Sequence, residues 1–243
     1  MRTIGLLGGM SWESTVPYYR IINETVRERL GGLHSARLVL ASLDFHEVEA
    51  LQRAARWDAA GALLGEAARG LAAAGADFLV LATNTMHKVA GAIEAAAALP
   101  LLHIADPTAD AIGAAGAARV GLLGTRFTME EAFYRARLEA RGLAVLVPEE
   151  DDRALVHRVI YDELCAGVIR DASRAAFAAA IARLVARGAE GVILGCTEIT
   201  LLIGPGDAAV PVYDTTRLHA RAAADAALGS RALPARPAGA PRA

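Results

Sequence analysis

The sequence predicts an α/β protein of two pseudo-symmetric lobes, each a short, mostly parallel sheet flanked by helices, with the active site in the cleft between lobes. Three observations carry that prediction. Short Val/Ile/Leu runs alternate with longer segments of helical periodicity. The short runs are apolar without interruption, as strands covered on both faces are, whereas a strand with one wet face alternates apolar with polar residues. The chain also repeats itself: GADFLVLATNT at 75–85 resembles GAEGVILGCTE at 188–198, which aligns Thr83 with Cys196. IGLLG at 4–8 likewise resembles VGLLG at 120–124, and Asp106-Pro107-Thr108 resembles Asp214-Thr215-Thr216. Three pairs in one order at nearly equal spacing point to duplication of one α/β lobe, at a period too long for a solenoid.

In chain order, strands are expected at 4–7, 38–41, 78–82, 101–105, 119–123, 144–147, 191–194 and 210–213. Helices are expected at 16–30, 59–74, 128–141, 154–168 and 172–187; Gly75, Gly142 and Gly188 follow three of these, as residues able to take the left-handed conformation that closes a helix. Lobe 1 is assigned 1–98 plus about 210–228, and lobe 2 is assigned 99–209. The tail at 230–243 carries three prolines and little apolar bulk and is expected to be disordered.

Composition narrows the function. At 243 residues the chain is long enough for one large domain or two of about 110 residues. It is 54% hydrophobic and 21% charged with a net charge of −2, so neither nucleic acid nor an acidic membrane surface is an expected partner. Much of the apolar content is alanine, and no window approaches the ~20 apolar residues of a spanning helix. The opening apolar run is too short for a signal peptide. Two cysteines, Cys165 and Cys196, exclude a disulfide scaffold and favour a reduced, cytoplasmic setting. Lys88 is the sole lysine, so a pyridoxal phosphate Schiff base has one residue to hang on, and no such cofactor is expected. GLLGGM lacks the G-x-G-x-x-G spacing of a dinucleotide loop, and the six histidines show no metal-ligand spacing, so no metal is expected.

Ligands of open parallel sheets gather beyond the C-terminal ends of strands. The residues there are polar: Met10-Ser11 after Gly8-Gly9, Ser42-Leu43-Asp44, Thr83-Asn84-Thr85, Thr125 after Gly124, and Cys196-Thr197-Glu198. A free cysteine is commonly a small buried apolar residue. Cys196, however, follows Gly195, which permits close backbone approach, and precedes a strand-to-helix turn whose amide dipoles favour a thiolate. Its polar repeat mate strengthens the catalytic reading. Cys165, inside the apolar pattern Ile160, Leu164, Val168, reads as structural. Thr83-Asn84-Thr85 suit a helix cap. They also suit a ligand, because duplicated lobes facing each other would set residues 83 and 196 on opposite sides of it, as stereochemical inversion requires. His87 reads as a surface or capping residue beside that site, and Gln52 and Arg53 as an exposed first helical turn.

GGMSWEST at 8–15, ATNTMHK at 82–88, GLLGTRFTM at 121–129, YDELCAG at 161–167 and GCTEI at 195–199 together resemble the aspartate/glutamate racemase superfamily, and more narrowly its broad-specificity amino-acid racemase branch. The resemblance runs from about residue 1 to residue 228. It implies a cofactor-independent racemase, a homodimer, with its active site between two lobes and a small-molecule amino-acid substrate. The family's usual pair of cysteine bases is matched at Cys196, whereas Thr83 holds the other position. By position, Asn84, Thr85 and Thr197 would bind the α-carboxylate, and Met10, Ser11, Gln52 and Thr125 would line the pocket. Glu198 would orient the ammonium group or a water. Neighbouring readings are an arylmalonate-type decarboxylase using the single Cys196, a hydantoin racemase or maleate isomerase, and a catalytically silent amino-acid-binding module.

Overall fold

The structure, a computed structural model, describes residues 1–235 and 237. Two compact units are present: Met1–His103 with the chain from His219 onward, and Ile104–Leu218. The first unit runs β1 (Ile4–Gly8), α1 (Trp12–Leu30), β2 (Leu38–Ser42), α2 (Phe45–Arg53), α3 (Trp57–Ala73), β3 (Phe78–Leu81), a 3-10 turn (Thr85–Val89), α4 (Ala90–Ala97) and β4 (Leu101–Leu102). The second runs α5 (Ala105–Ala114), β5 (Arg119–Gly124), α6 (Arg126–Glu130), α7 (Ala132–Glu139), β6 (Ala144–Leu146), α8 (Glu150–Asp162), α9 (Asp171–Ala186), β7 (Val192–Gly195), a 3-10 turn (Thr197–Leu201) and β8 (Val212–Asp214). Helix α10 (Thr215–Leu228) then leads back into the first unit.

The two sheets have the same topology, β2-β1-β3-β4 and β6-β5-β7-β8, with all pairings parallel. The sequence repeat therefore corresponds to a structural one, with β1 matching β5 and β3 matching β7. In the inner strands β1, β3, β5 and β7, burial on both faces explains the unbroken apolar runs, whereas the edge strands β2 and β6 are only partly buried. Ile4, Leu6, Phe78 and Val80 pack with Tyr18, Ile22 and Val26 of α1 and the alanines of α10, while Leu7, Leu79 and Leu81 pack with Leu64, Ala68 and Leu71 of α3 and Ile93 of α4. The alanine excess also has a packing reason. A Cβ on Gly65 would lie 2.8 Å from that of Ala96, so α3 and α4 meet through their smallest residues.

Each expected strand exists, though that expected at 101–105 shrinks to Leu101–Leu102 with Ala105 already in α5, and Gly75, Gly142 and Gly188 close their helices at φ of +89°, +82° and +94°. Other expectations need correction. The lobe boundaries move: β4 pairs with β3, which keeps 99–103 in the first unit, and β8 pairs with β7, which keeps 210–218 in the second. The expected helix at 128–141 is two helices, broken where Glu131 is extended at φ −85°, ψ 154°. The helix expected at 154–168 starts at Glu150 and ends at Asp162. Helices α2, α4, α5 and α10 were not among the expected segments. Of the expected disordered tail, 236 and 238–243 lie outside the described residues, but Leu233 packs against the first unit's core. Among the described residues no helix is long and apolar enough to cross a membrane.

Candidate active site

Strand order reverses direction between β1 and β3 in the first unit and between β5 and β7 in the second, and ligands of open sheets collect at such points, beyond the strands' C-terminal ends. All ten residues expected in the site stand near them, and all ten are buried. Most of them are polar side chains buried at sheet ends, an arrangement that makes these ends the candidate site.

In the first unit, Gly9 leaves β1 at φ +85°, and a Cβ there would lie 2.2 Å from the Leu43 carbonyl oxygen, so only glycine makes this turn. The Gly9 N–H donates to Thr15 Oγ1 at 2.8 Å, while the Thr15 and Ser14 hydroxyls donate to the Ser11 carbonyl at 2.9 and 3.0 Å. The start of α1 thus ties down the loop bearing Met10 and Ser11. Beside it, β3 ends in Thr83-Asn84-Thr85. Asn84 occupies the cap position of the following 3-10 turn, but its side chain makes no capping bond to it, so the capping reading does not account for the residue. Gln52 is not in an exposed first turn: it lies in the last turn of α2, buried, and donates from Nε2 to Met86 Sδ at 2.9 Å. Arg53 is the exposed one, paired with Glu49 at 2.6 Å.

In the second unit the Gly124–Gly195 register draws the ends of β5 and β7 together, since a Cβ on Gly124 would come within 2.8 Å of the Gly195 carbonyl. Thr125 caps α6, its Oγ1 accepting from the Thr128 N–H at 3.4 Å. Cys196 is extended, and its thiol donates to Glu198 Oε2 at 2.9 Å. The Thr197 hydroxyl donates to the same oxygen at 2.8 Å. Here the expectation of a stabilised thiolate fails. The helix that follows is a five-residue 3-10 turn, and burial, then the adjacent Glu198 carboxylate, push the Cys196 thiol well above its usual pKa. The geometry is that of a thiol donating to Glu198 Oε2. Thr197 gives its one proton to Glu198, so it presents lone pairs rather than a donor to any ligand carboxylate.

His87 is the residue sequence reasoning misplaced. It is 3% exposed rather than on a helix surface, and its Nδ1 lies 2.7 Å from the Thr83 carbonyl oxygen. The signal was its place four residues beyond Thr83, where a ring reaches back to that carbonyl. Cys165 is half-buried against the core that holds Cys196, in keeping with a packing role. Among the described residues no group of three or more His, Cys, Asp or Glu side chains is placed to hold a metal ion.

The family model for Asp/Glu/Hydantoin racemase matches residues 7–223. A crystallised candidate Asp/Glu racemase from Yersinia pestis is 57% identical, with a TM-score of 0.87 over 94% of this chain and 100% of that one. An aspartate racemase homologue from Pyrococcus horikoshii is 34% identical, with a TM-score of 0.80 over 94% and 100%. Glutamate racemase from Francisella tularensis shares the fold at 13% identity, with a TM-score of 0.63 over 94% and 82%. With a matching family model spanning both units and the repeated sheet that carries the polar clusters, the chain belongs to the Asp/Glu/Hydantoin racemase family and is an isomerase of the racemase type.

Proposed function

We propose that the protein racemises free amino acids at Cα without a cofactor, with Cys196 as the principal acid and base on one face of the substrate and Thr83 serving the other. The observation that carries this reading is the 2.9 Å bond from the Cys196 thiol to Glu198. A Cα–H is a weak acid, and a neutral thiol is a poor base for it. A thiol that hands its own proton to a carboxylate while its sulfur takes the substrate's has the basicity without a free buried thiolate. The Cα–H bond breaks, a new S–H bond forms, and the original thiol proton passes to Glu198 Oε2. Reprotonation from the opposite face comes from the Thr83 hydroxyl, directly or through a water, and solvent restores both groups. Matching positions support the pairing, since Thr83 and Cys196 each follow the strand beside the central glycine-ended one of their own sheet. Because enantiomers are equal in free energy, the catalyst works in both directions.

Asn84 and Thr85 are assigned to the substrate α-carboxylate, with Met10, Ser11, Gln52 and Thr125 lining the pocket and Thr197 contributing as an acceptor. Aspartate and glutamate are the first substrates to test, since the relatives are named for them. The absence of arginine from these ten residues supports a small or neutral side chain over a second carboxylate. Lys88, whose ammonium lies 3.9 Å from the Trp57 ring centroid, is engaged away from any Schiff-base role. We further assign the protein to a reducing cytoplasm, supported by two free cysteines. A homodimer is supported by exposed Trp12, Val16 and Tyr19 along one face of α1. The test is a screen of the common amino acids in D2O with chelator present. Deuterium at Cα together with the opposite enantiomer is the expected result. Carbon dioxide release from a malonate, or saturable binding without exchange, would replace the reading with a decarboxylase or a binding module.

A further inference from the structure

We propose that His87 is a positioning residue for Thr83: its ring N–H holds the Thr83 carbonyl and so fixes the threonine hydroxyl at the end of β3. The inference rests on the reading of Thr83 as the second-face group. Thr83 lies just past the ladder. Its N–H turns back to the Leu81 carbonyl at 2.9 Å, its carbonyl meets His87 Nδ1 at 2.7 Å, and the His87 N–H donates to the Asn84 carbonyl at 3.1 Å. A carbonyl has no proton to give, so Nδ1 carries the hydrogen and the neutral ring is the Nδ1–H tautomer. One residue thus closes the segment 83–87 with both its backbone and its ring.

The ring is itself held. It lies 4.3 Å from the His103 ring and 6.0 Å from that of His219, centroid to centroid. His219, fully buried, donates from Nε2 to the Leu102 carbonyl at 2.7 Å, which leaves its Nδ1 to accept the Tyr18 hydroxyl at 2.8 Å. His103, just past β4, and His219 of α10 therefore flank the imidazole whose N–H sets the backbone of residue 83, and Tyr18 of α1 in turn holds His219. Packing alone would be served by leucine at lower desolvation cost. The hydrogen bond is what leucine lacks, and a misplacement of about 1 Å costs on the order of 10²-fold in rate.

The experiment compares wild type, His87→Asn, His87→Leu and Thr83→Ala. Asparagine keeps an N–H donor near the Nδ1 position, and leucine fills the space without one. The probe is whichever common amino acid wild type exchanges fastest in D2O, followed by chiral separation and by deuterium uptake. His87→Leu is expected to lower kcat for inversion by about 10- to 100-fold, with KM and Cys196-face exchange nearly unchanged, and His87→Asn to recover most of the loss. Parallel loss of inversion and exchange, a change confined to KM, or an Asn variant as poor as Leu would overturn the inference. Loss of inversion in Thr83→Ala beside wild-type behaviour in His87→Leu defeats the inference alone, whereas intact inversion in Thr83→Ala defeats the Thr83 reading beneath it. Should His87→Leu fail to fold, nitrogen-15 NMR of the wild-type ring decides: a protonated Nδ1 is expected, and a ring protonated at Nε2 alone overturns the inference.

Discussion

Cys196 and Thr83 occupy equivalent places, yet a thiol is far more acidic than an alcohol, and that asymmetry separates two measurable events. Cys196→Ala is expected to abolish Cα deuterium exchange, a loss of about 10²- to 10⁴-fold for a general acid–base group. Thr83→Ala is expected to suppress inversion while leaving exchange with retention, and Thr83→Cys to raise the ratio of inversion to exchange. Wild-type exchange in Cys196→Ala would remove the assignment. Glu198 supplies a second test. Its carboxylate is, after burial, the next largest cause of the raised Cys196 pKa, so Glu198→Gln lowers that pKa toward the ordinary thiol value without reaching it. In a Cys165→Ser background the thiolate absorbance near 240 nm is then expected to appear at lower pH in Glu198→Gln, although Cα exchange slows by about 10²-fold or more. Appearance at higher pH would mean that the carboxylate stabilises the thiolate. The positions of these residues were legible in the sequence, because each is polar and follows an apolar run. The protonation state of Cys196 was not, since it depends on which way Glu198 turns, and a spacing of two residues leaves that open.

At the scale of elements, the strands were legible because parallel strands buried on both faces leave unbroken apolar runs, as at Phe78–Leu81 and Val192–Gly195. Helices without contrast between faces were not: α4 is AGAIEAAA, with no polar stripe to show a period. In α5, Pro107 falls in the first turn, where its missing N–H forfeits no helical bond, so the proline does not interrupt the helix. β4 has only two residues, too few to assign it to a lobe before its pairing is seen. Glycines divide in the same physical way. Ala at 195 would put its Cβ 2.7 Å from Leu122 Cδ1 and 2.9 Å from the Leu123 carbonyl oxygen, whereas Cβ on Gly70, inside α3, meets nothing within 4 Å. Gly195→Ala is expected to destabilise by about 1–3 kcal/mol and to impair turnover by shifting Cys196. Gly70→Ala is expected to stabilise by about 0.5–1 kcal/mol with turnover unchanged. Thermal melts and exchange rates of the two variants check both signs, and equal effects would mean that the close approach of β5 and β7 is not what position 195 requires.

For the whole molecule, chain order makes the two units unequal. The second is one continuous segment, Ile104–Leu218, and both of its cores are built from its own residues. The first is interrupted: one face of its sheet is covered by Ala220, Ala223, Ala224 and Ala227 of α10, which arrives only after the second unit is complete. A fragment of residues 1–103 would leave Ile4, Leu6, Phe78 and Val80 covered on that side by α1 alone. Each such side chain forgoes part of the about 1.5–3 kcal/mol of its burial, and the sum is a large share of the 5–15 kcal/mol that holds a domain folded. Residues 104–218 alone are therefore expected to unfold cooperatively with native secondary structure, and 1–103 alone to lack a cooperative transition. The exit and return of the chain lie side by side, because the His219 ring donates to the Leu102 carbonyl at 2.7 Å. A short glycine-rich linker replacing 104–218 is thus expected to restore a cooperative first unit, since closing a loop of a few residues costs far less than leaving that face open. Circular dichroism melts and amide NMR dispersion of the three fragments test this ordering. A cooperative transition in 1–103, or its absence in the linked 1–103/219–235 chain, would show that α10 is not what completes the first core.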